Sequence, residues 1–390
     1  MSKTLQDYAT LINDTIQSNE INHYITTDNM CQNLGGIDTF KNINIPQGKV
    51  RSFQKDDVLL SNIRLYFRKV YRAKQKGGCS SDVLVFRAKH IDSATLFAIL
   101  SSQIFTDYAC SGSQGSKMPR GNKTHMMDFK IPTINFTIAK IFNSIQNKIE
   151  NNHKINELLH KILELLYEQY FVRFDFLDEN NKPYQTSGGK MKFSKELNRL
   201  IPNDFEVKTL GELITWISGS QPPKSCHIYE HKEGYIRFIQ NRDYSSNDYI
   251  TYIPISKNNK ICYQYDIMID KYGEAGAVRF GLQGAYNVAL SKISVLNQSM
   301  QEYIRSYLNS KPIKKYLSNA CMASTRSSLN ENHIYSLMLP IPPINLLQKY
   351  EKIAKNIITA IINNNQSTQT LTALRDFLLP LLLTQQVKPE

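Results

Sequence analysis

Asn122-Lys-Thr-His125-Met-Met-Asp-Phe129-Lys-Ile131-Pro132 recurs 208 residues later as Asn330-Glu-Asn-His333-Ile-Tyr-Ser-Leu337-Met-Leu339-Pro340. Asn, His and Pro are identical, and the apolar positions between them match in type. Other matches keep the same order: Lys3-Thr4-Leu5 with Lys208-Thr209-Leu210, Tyr24-Ile25 with Tyr235-Ile236, Asp57-Val-Leu-Leu60 with Asp266-Ile-Met-Ile269, and Leu100-x-Ser102 with Leu308-x-Ser310. A run of ordered matches at nearly constant offset marks one unit used twice. Each copy has short β-like runs, such as Val83-Leu-Val-Phe86 and Tyr235-Ile-Arg-Phe-Ile239, and ends in a proline-containing exit suited to starting a helix.

The segments after those exits repeat every seven residues. Positions a fall on Ile138, Ile145, Asn152, Leu159 and Leu166, and in the second segment on Tyr350, Ile357, Asn364, Leu371 and Leu378. Positions d are Ile141, Lys148, Ile155, Ile162 and Gln169, then Ile353, Ala360, Ser367, Leu374 and Leu381. Sustained heptads predict a coiled coil, and Asn152 and Asn364 are register-setting polar residues that need a polar partner. The expected class is α+β: two similar mixed α/β domains joined by two long helices pairing as an antiparallel coiled coil, a pseudo-twofold internal repeat. Expected boundaries are 1–135 for the first domain, 136–202 for the first spacer helix and link, 203–345 for the second domain and 346–390 for the second spacer helix. About 35 residues at ~1.5 Å rise give a spacer of roughly 50 Å, about one and a half turns of B-DNA.

The chain has 390 residues, 47 Lys plus Arg against 34 Asp plus Glu, and a formal charge of +13. Residues 1–135 hold 17 cations and 11 anions, nearly half of that excess. Such a balance points to a polyanionic partner. The N-terminal stretch lacks a signal-peptide core, no apolar run is long enough for a membrane helix, and six scattered cysteines without a CxxC pair suit reduced thiols; a cytoplasmic protein is expected.

The densest basic run, Arg64-Leu-Tyr-Phe-Arg68-Lys69-Val-Tyr-Arg72-Ala-Lys74-Gln-Lys76, has six cations, three aromatics and no acid. Cations neutralise phosphates, and Arg can clamp guanine in the major groove. A solvated, charge-protected strand edge is the competing reading. The polar loop 111–123 adds Lys117, Arg120 and Lys123, and its counterpart carries Arg326. In the second copy Arg237, Asn241, Arg242, Lys271 and Arg279 are the DNA-binding candidates.

Enzymatic patterns are weak. Asp204-Phe-Glu206-Val-Lys208 superficially resembles a nuclease metal site, but its acids lie only two apart, where the first copy has Lys3. His227-x3-His231 beside Cys226 has metal-ligand spacing, yet Pro222-Pro223 and Gly234 argue against the helix it needs. No GxxxxGK[ST] loop is present, so ATP binding by this chain is not expected. His125 and His333 recur without an accompanying acid or nucleophile and are expected to be structural. No metal, catalytic residue or bound cofactor is expected.

At Ile145-Gln146-x-Lys148-Ile149-x-x-Asn152, Leu166-Tyr-Glu-Gln-Tyr-Phe171-Val-x-Phe174, Arg199-Leu-Ile-Pro202-x-x-Phe205-x-Val207-x-x-Leu210-Gly211 and Leu371-x-x-Leu374-Arg375-Asp376-x-Leu378-Leu379-Pro380-x-Leu382-Leu383, the chain resembles the DNA-specificity (S) subunits of type I restriction–modification enzymes. One departure is Phe205, where the family often carries tryptophan. The resemblance covers essentially the whole length. It implies two target-recognition domains that each read one half of a bipartite double-stranded DNA target. It also implies a non-catalytic subunit on which two methyltransferase (M) subunits dock, methylating adenine with S-adenosylmethionine. Two translocase/nuclease (R) subunits, using ATP and Mg, can join them. The recognition domains vary within that family, so base-contacting residues do not carry over, and the basic candidates rest on chemistry alone. A metal-dependent nuclease using Asp204, Glu206 and Lys208, or a protein-binding scaffold, are the alternatives.

Overall fold

The computed structural model describes residues 3–39, 41, 43–131, 136–245, 249–322 and 328–382. The chain divides into two compact units, one built from residues 1–155 with 364–390 and the other from 156–363. Each contains one copy of the repeat and one half of each long helix.

In the first unit a four-stranded antiparallel sheet runs Ala9–Ile12, Val83–Ala88, Val58–Ser61, Val70–Arg72. Val83 to Phe86 are all buried, because both faces of this strand are covered. The two-residue period of the strand sends Leu84 and Phe86, with Val58 and Leu60, into a core shared with helices Ser93–Ser101 and Gln103–Ser111. Val83 and Val85, with Leu59, face a second core beneath the sheet of Thr15–Gln17, Lys49–Phe53, Gly77–Cys79 and Tyr24–Ile25.

The second unit repeats this design. Its antiparallel sheet runs Ile214–Ser218, Leu290–Val295, Ile267–Asp270, Val278–Arg279, the same order. Ile267 and Ile269 enter the helix-covered core, and Met268 the opposite one. The repeat reaches single hydrogen bonds. Thr4 and Asp7 form a capping box, as do Thr209 and Glu212. Asp57 accepts from Gln54 N–H and binds Arg87; Asp266 accepts from Tyr263 N–H and binds Lys292. Ser102 and Ser310 each donate to the carbonyl three residues earlier, and Asn122 and Asn330 each cap the short helix carrying the repeated histidine. Gly77 and Gly284 are equivalent positions where a Cβ would strike the carbonyl of the adjoining segment, at His23 and Arg237 respectively.

Tyr24-Ile25 and Tyr235-Ile236 occupy the right strand but the wrong register. Tyr24 and Ile25 pair in parallel with Gly78 and Cys79, and the residues making the corresponding bonds are Phe238 and Ile239, with Ala285 and Tyr286. The second sheet's strand is longer because it also pairs with Tyr252–Pro254, a strand without a counterpart among the described residues of the first unit. Apolar identity alone therefore matched its outer end.

The long helices span Phe136–Tyr167, continued by a π-turn to Val172, and Ile344–Leu382, which runs on through Pro380. They pair antiparallel within each unit. In the first, Ile138, Ala139 and Phe142 share a core with Leu379; in the second, Leu166, Tyr167 and Tyr170 pack with Leu346, Leu347 and Tyr350.

The expected seam is half correct. The a positions are buried or half-buried throughout, but the d positions Ile141, Lys148, Ile155, Ile162, Ile353 and Leu374 are exposed. The second row of contacts lies four residues after a, at Phe142, Ile149, Asn156 and Leu163, and at Ala354, Ile361, Thr368 and Arg375. Both flanks of the a row carry apolar residues, so the heptad alone left the choice open. The larger Phe142, and Ile149 in place of Lys148, bury more apolar surface on the flank that is used. Asn152 is buried and donates from Nδ2 to Thr368 Oγ1 at 3.1 Å, the polar partner a buried amide requires. Asn364, the other register residue expected, is half-buried.

Candidate nucleic-acid interface

The basic run does not form a continuous edge. After strand Val58–Ser61 the chain makes a 3-10 turn, Leu65–Phe67, flanked by Arg64 (φ 50°) and Arg68 (φ 49°), both left-handed. Such backbone is costly for non-glycine residues and persists where surroundings enforce it. Here Asn33 N–H and Leu34 N–H donate to the carbonyls of Phe67 and Arg68 at 2.9 and 3.1 Å, and Arg64 N–H donates to Pro119 O. The cations brace the same turn. Arg64 donates to Lys117 O and Arg68 to Ser101 O at 2.9 Å, and Lys69 Nζ donates to Thr27 O at 2.6 Å. Burial pushes the pKa values of Arg68 and Lys69 down. Arg72 lies 3.7 Å from Asp56, and Lys74 pairs with Glu150 of the first long helix at 3.4 Å.

What this turn brings together is the polar loop. Gly121 N–H donates to Asn62 O, and Ile63 bridges Arg120. Lys117, Arg120 and Lys123 are exposed on that loop, with Arg120 held by Asp82 at 3.0 Å, and Tyr66, its ring 4.7 Å from that of Phe67, is 53% exposed on the turn bonded to the loop. Arg64, Tyr66, Lys117, Arg120 and Lys123 thus share one region of the first unit, while Lys69 and Lys74 are held away from that loop, on Thr27 and on the long helix.

In the second unit the equivalent turn, 271–277, joins the equivalent strands, and Leu329 N–H donates to Lys271 O as Gly121 N–H does to Asn62 O. Tyr272 is 44% exposed, the Lys271 ammonium lies 6.0 Å from its ring centre, and Asn241 Nδ2 donates to its carbonyl. Burial lowers the Lys271 pKa. Arg242 lies over the exposed ring of Tyr249 at 5.9 Å. Arg279 is engaged below the turn, bonding the buried Asp270 at 3.0 Å and Glu274. Arg237 is half-buried on its strand, and Arg326 lies outside the described residues. Tyr66, Tyr249 and Tyr272 were not singled out from sequence. Nothing in a tyrosine's neighbours along the chain distinguishes an exposed ring from a core one.

Glu206 pairs with Lys208 at 3.5 Å on a strand hydrogen-bonded to Met338–Ile341. His227 packs on Phe238 and His231 on Tyr252, so the two rings sit on different aromatic partners. Among the described residues no group of three His, Cys, Asp or Glu side chains is placed to hold a metal, and no helix is long and apolar enough to cross a membrane.

Residues 202–373 match the family described as the type I restriction modification DNA specificity domain. The chain is 24% identical over 307 residues to the type I restriction enzyme MjaIX specificity subunit of Methanocaldococcus jannaschii, covering 76% of this chain and 69% of the relative. It is 22% identical over 309 residues to the HindI specificity subunit of Haemophilus influenzae, covering 64% and 66% of the two chains. Its fold matches the crystal structure of a type I restriction–modification S subunit from M. genitalium with a TM-score of 0.63 at 15% identity, over 98% of this chain and 96% of that one. Residues 202–373 thus carry the type I restriction modification DNA specificity domain, and the chain is similar along most of its length to type I restriction enzyme specificity subunits.

Proposed function

We propose that this chain gives a methyltransferase and restriction complex its DNA sequence preference, with residues 1–135 and 203–345 each reading one short block of a bipartite duplex target. The observation that carries this reading is the duplicated module, with the same strand order in the helix-covered sheet, matching caps at Thr4 and Thr209 and at Asn122 and Asn330, and the same turn-and-loop pairing in each copy. Residues 136–202 and 346–390 act as spacers and as the docking face for two methyltransferase subunits. Leu158, Ile162 and Leu165, at helical spacing and each about half exposed, offer an apolar face for such a partner. The partners supply the reaction: S-adenosylmethionine for adenine methylation, and ATP with Mg where two translocase/nuclease subunits join. The complex works in the cytoplasm.

Exposed cations on the loop bonded to the Tyr66 turn are assigned to phosphates. Changing Lys117, Arg120 and Lys123 together to Ala should reduce the slope of log affinity against log salt by about 0.9 for each phosphate no longer neutralised. Folding should be unaffected, because surface changes of this kind usually cost under about 0.5 kcal/mol. Equilibrium binding of the methyltransferase complex between low and physiological salt measures the slope. An unchanged slope and affinity would remove this loop from the interface, and a wild-type complex with no preference for any duplex would overturn the function itself.

A further inference from the structure

We propose that Tyr66 and Tyr272 are the paired base-contacting residues of the two modules, each entering a groove of its own half of the duplex target. This deepens the function proposed above and rests on it. Three observations converge on these two side chains.

The first is the equivalence of the two turns, in which Tyr66 stands four residues after Asn62 and Tyr272 one residue after its counterpart Lys271. Tyr66 lies between strands Val58–Ser61 and Val70–Arg72, and Tyr272 between Ile267–Asp270 and Val278–Arg279, which hold the same places in the two sheets. Each turn is bonded to the segment preceding the repeated Asn-His helix, through Gly121 N–H to Asn62 O and Leu329 N–H to Lys271 O. The sequences of the turns differ, Asn-Ile-Arg-Leu-Tyr-Phe-Arg-Lys against Lys-Tyr-Gly-Glu-Ala-Gly-Ala, yet each presents one exposed tyrosine.

The second is rigidity supplied by charge. Side chains that would suit phosphates are turned inward to hold these turns: Arg64, Arg68 and Lys69 on backbone carbonyls in the first, Arg279 on Asp270 and Glu274 in the second. A ring on a braced turn is pre-organised and loses little freedom on binding.

The third is the surrounding charge. Tyr66 lies on the turn whose Arg64 and Ile63 are bonded to the loop carrying the exposed Lys117, Arg120 and Lys123, and Tyr272 lies beside Lys271 and Asn241, whose Oδ1 is buried without a partner among the described residues. Glu274, the acid on the second turn, is already paired with Arg279. A polyanion is the complementary partner, and a phenol can pack its ring on a thymine methyl or sugar while its hydroxyl donates to or accepts from a base edge.

The test uses the full chain in its methyltransferase complex. Binding is measured against the cognate duplex and every single-base change in it, for wild type, Tyr66→Ala, Tyr66→Phe and Tyr272→Ala. Tyr66→Ala is expected to weaken cognate binding about 10–100-fold and to relax preference at one or two positions of one block. Tyr272→Ala should do the same in the other block only, and the thermal midpoints should stay within about 2 °C of wild type. Tyr66→Phe separates the hydroxyl from the ring: an intermediate loss assigns the hydroxyl to a base edge, and wild-type behaviour assigns the interaction to the ring. Uniform weakening on all sequences would make these phosphate contacts and overturn the proposal. So would unchanged preferences in either Ala variant, or one variant relaxing both blocks. A wild-type complex without preference would overturn the parent reading and this one together.

Discussion

Arg375→Ala should cost the first unit about 2–4 kcal/mol and lower its melting temperature by roughly 10 °C. Arg375 is 1% exposed, on the helix row that packs against the first long helix. Its guanidinium donates from Nη1 to Asn33 O at 3.2 Å and to Gln146 Oε1 at 3.1 Å, and pairs with Asp376 at 3.0 Å. Removing it strands the buried Gln146 amide oxygen, costing about 1–3 kcal/mol, and leaves a cavity, while the Asn33 carbonyl, on an exposed residue, loses its bond to the guanidinium. Lys should not rescue, because one ammonium cannot reproduce a planar fork addressing three partners.

The same change should reach DNA. Gln146 also donates to Leu34 O, so the helix pair holds the carbonyls of Asn33 and Leu34, whose N–H groups in turn hold Phe67 and Arg68. Loosening that chain frees the Tyr66 turn, so preference in one block should weaken while the other is untouched. Differential scanning calorimetry and single-base-change binding check both parts. A variant melting within about 2 °C of wild type would show that Arg375 is dispensable.

Arg279→Ala should cost the second unit about 3–5 kcal/mol at pH 8 and clearly less at pH 5. Asp270 is 1% exposed, and desolvation, outweighing the attraction of Arg279, raises its pKa to about 6. A carboxyl whose folded pKa exceeds its unfolded value near 3.8 leaves stability intact below that value and erodes it as pH rises through the folded pKa. Without Arg279 the folded pKa climbs further, so the erosion continues to higher pH than in the wild type. The gap between the two proteins should therefore widen from pH 5 to pH 8. Asp270→Asn in the Arg279→Ala background should recover much of the loss, since it removes the uncompensated charge. Urea denaturation at the two pH values decides it; an equal loss at both would mean that Asp270 is not the source.

The repeat was legible because capping and turn residues are chosen by local chemistry. Thr4 and Thr209, Asn122 and Asn330, and Ser102 and Ser310 keep identity where the backbone needs a side-chain oxygen. Strand type was legible at Val83 to Phe86, where burial on both faces demands an unbroken apolar run. Register at Tyr235 was not, since the extra strand Tyr252–Pro254 lengthens its partner without changing the apolar pattern. The flank of the helix seam was ambiguous because Ile141 and Phe142 are both good core residues, and only packing against the partner decides. Composition gave a basic excess, but Arg68, Lys69, Arg279 and Arg375 carry no sequence mark separating a charge that meets solvent from one that braces backbone or pairs with a buried acid.

In the proposed function two similar modules read two separate blocks of one duplex. Expressing the chain with its methyltransferase partner and mapping every methylated adenine in the host genome tests it most directly. Two short specified blocks around a fixed stretch of unspecified base pairs are expected, with one block alone changing when residues 1–135 are exchanged for those of another specificity subunit. A single continuous motif, or a module exchange that altered both blocks, would contradict it.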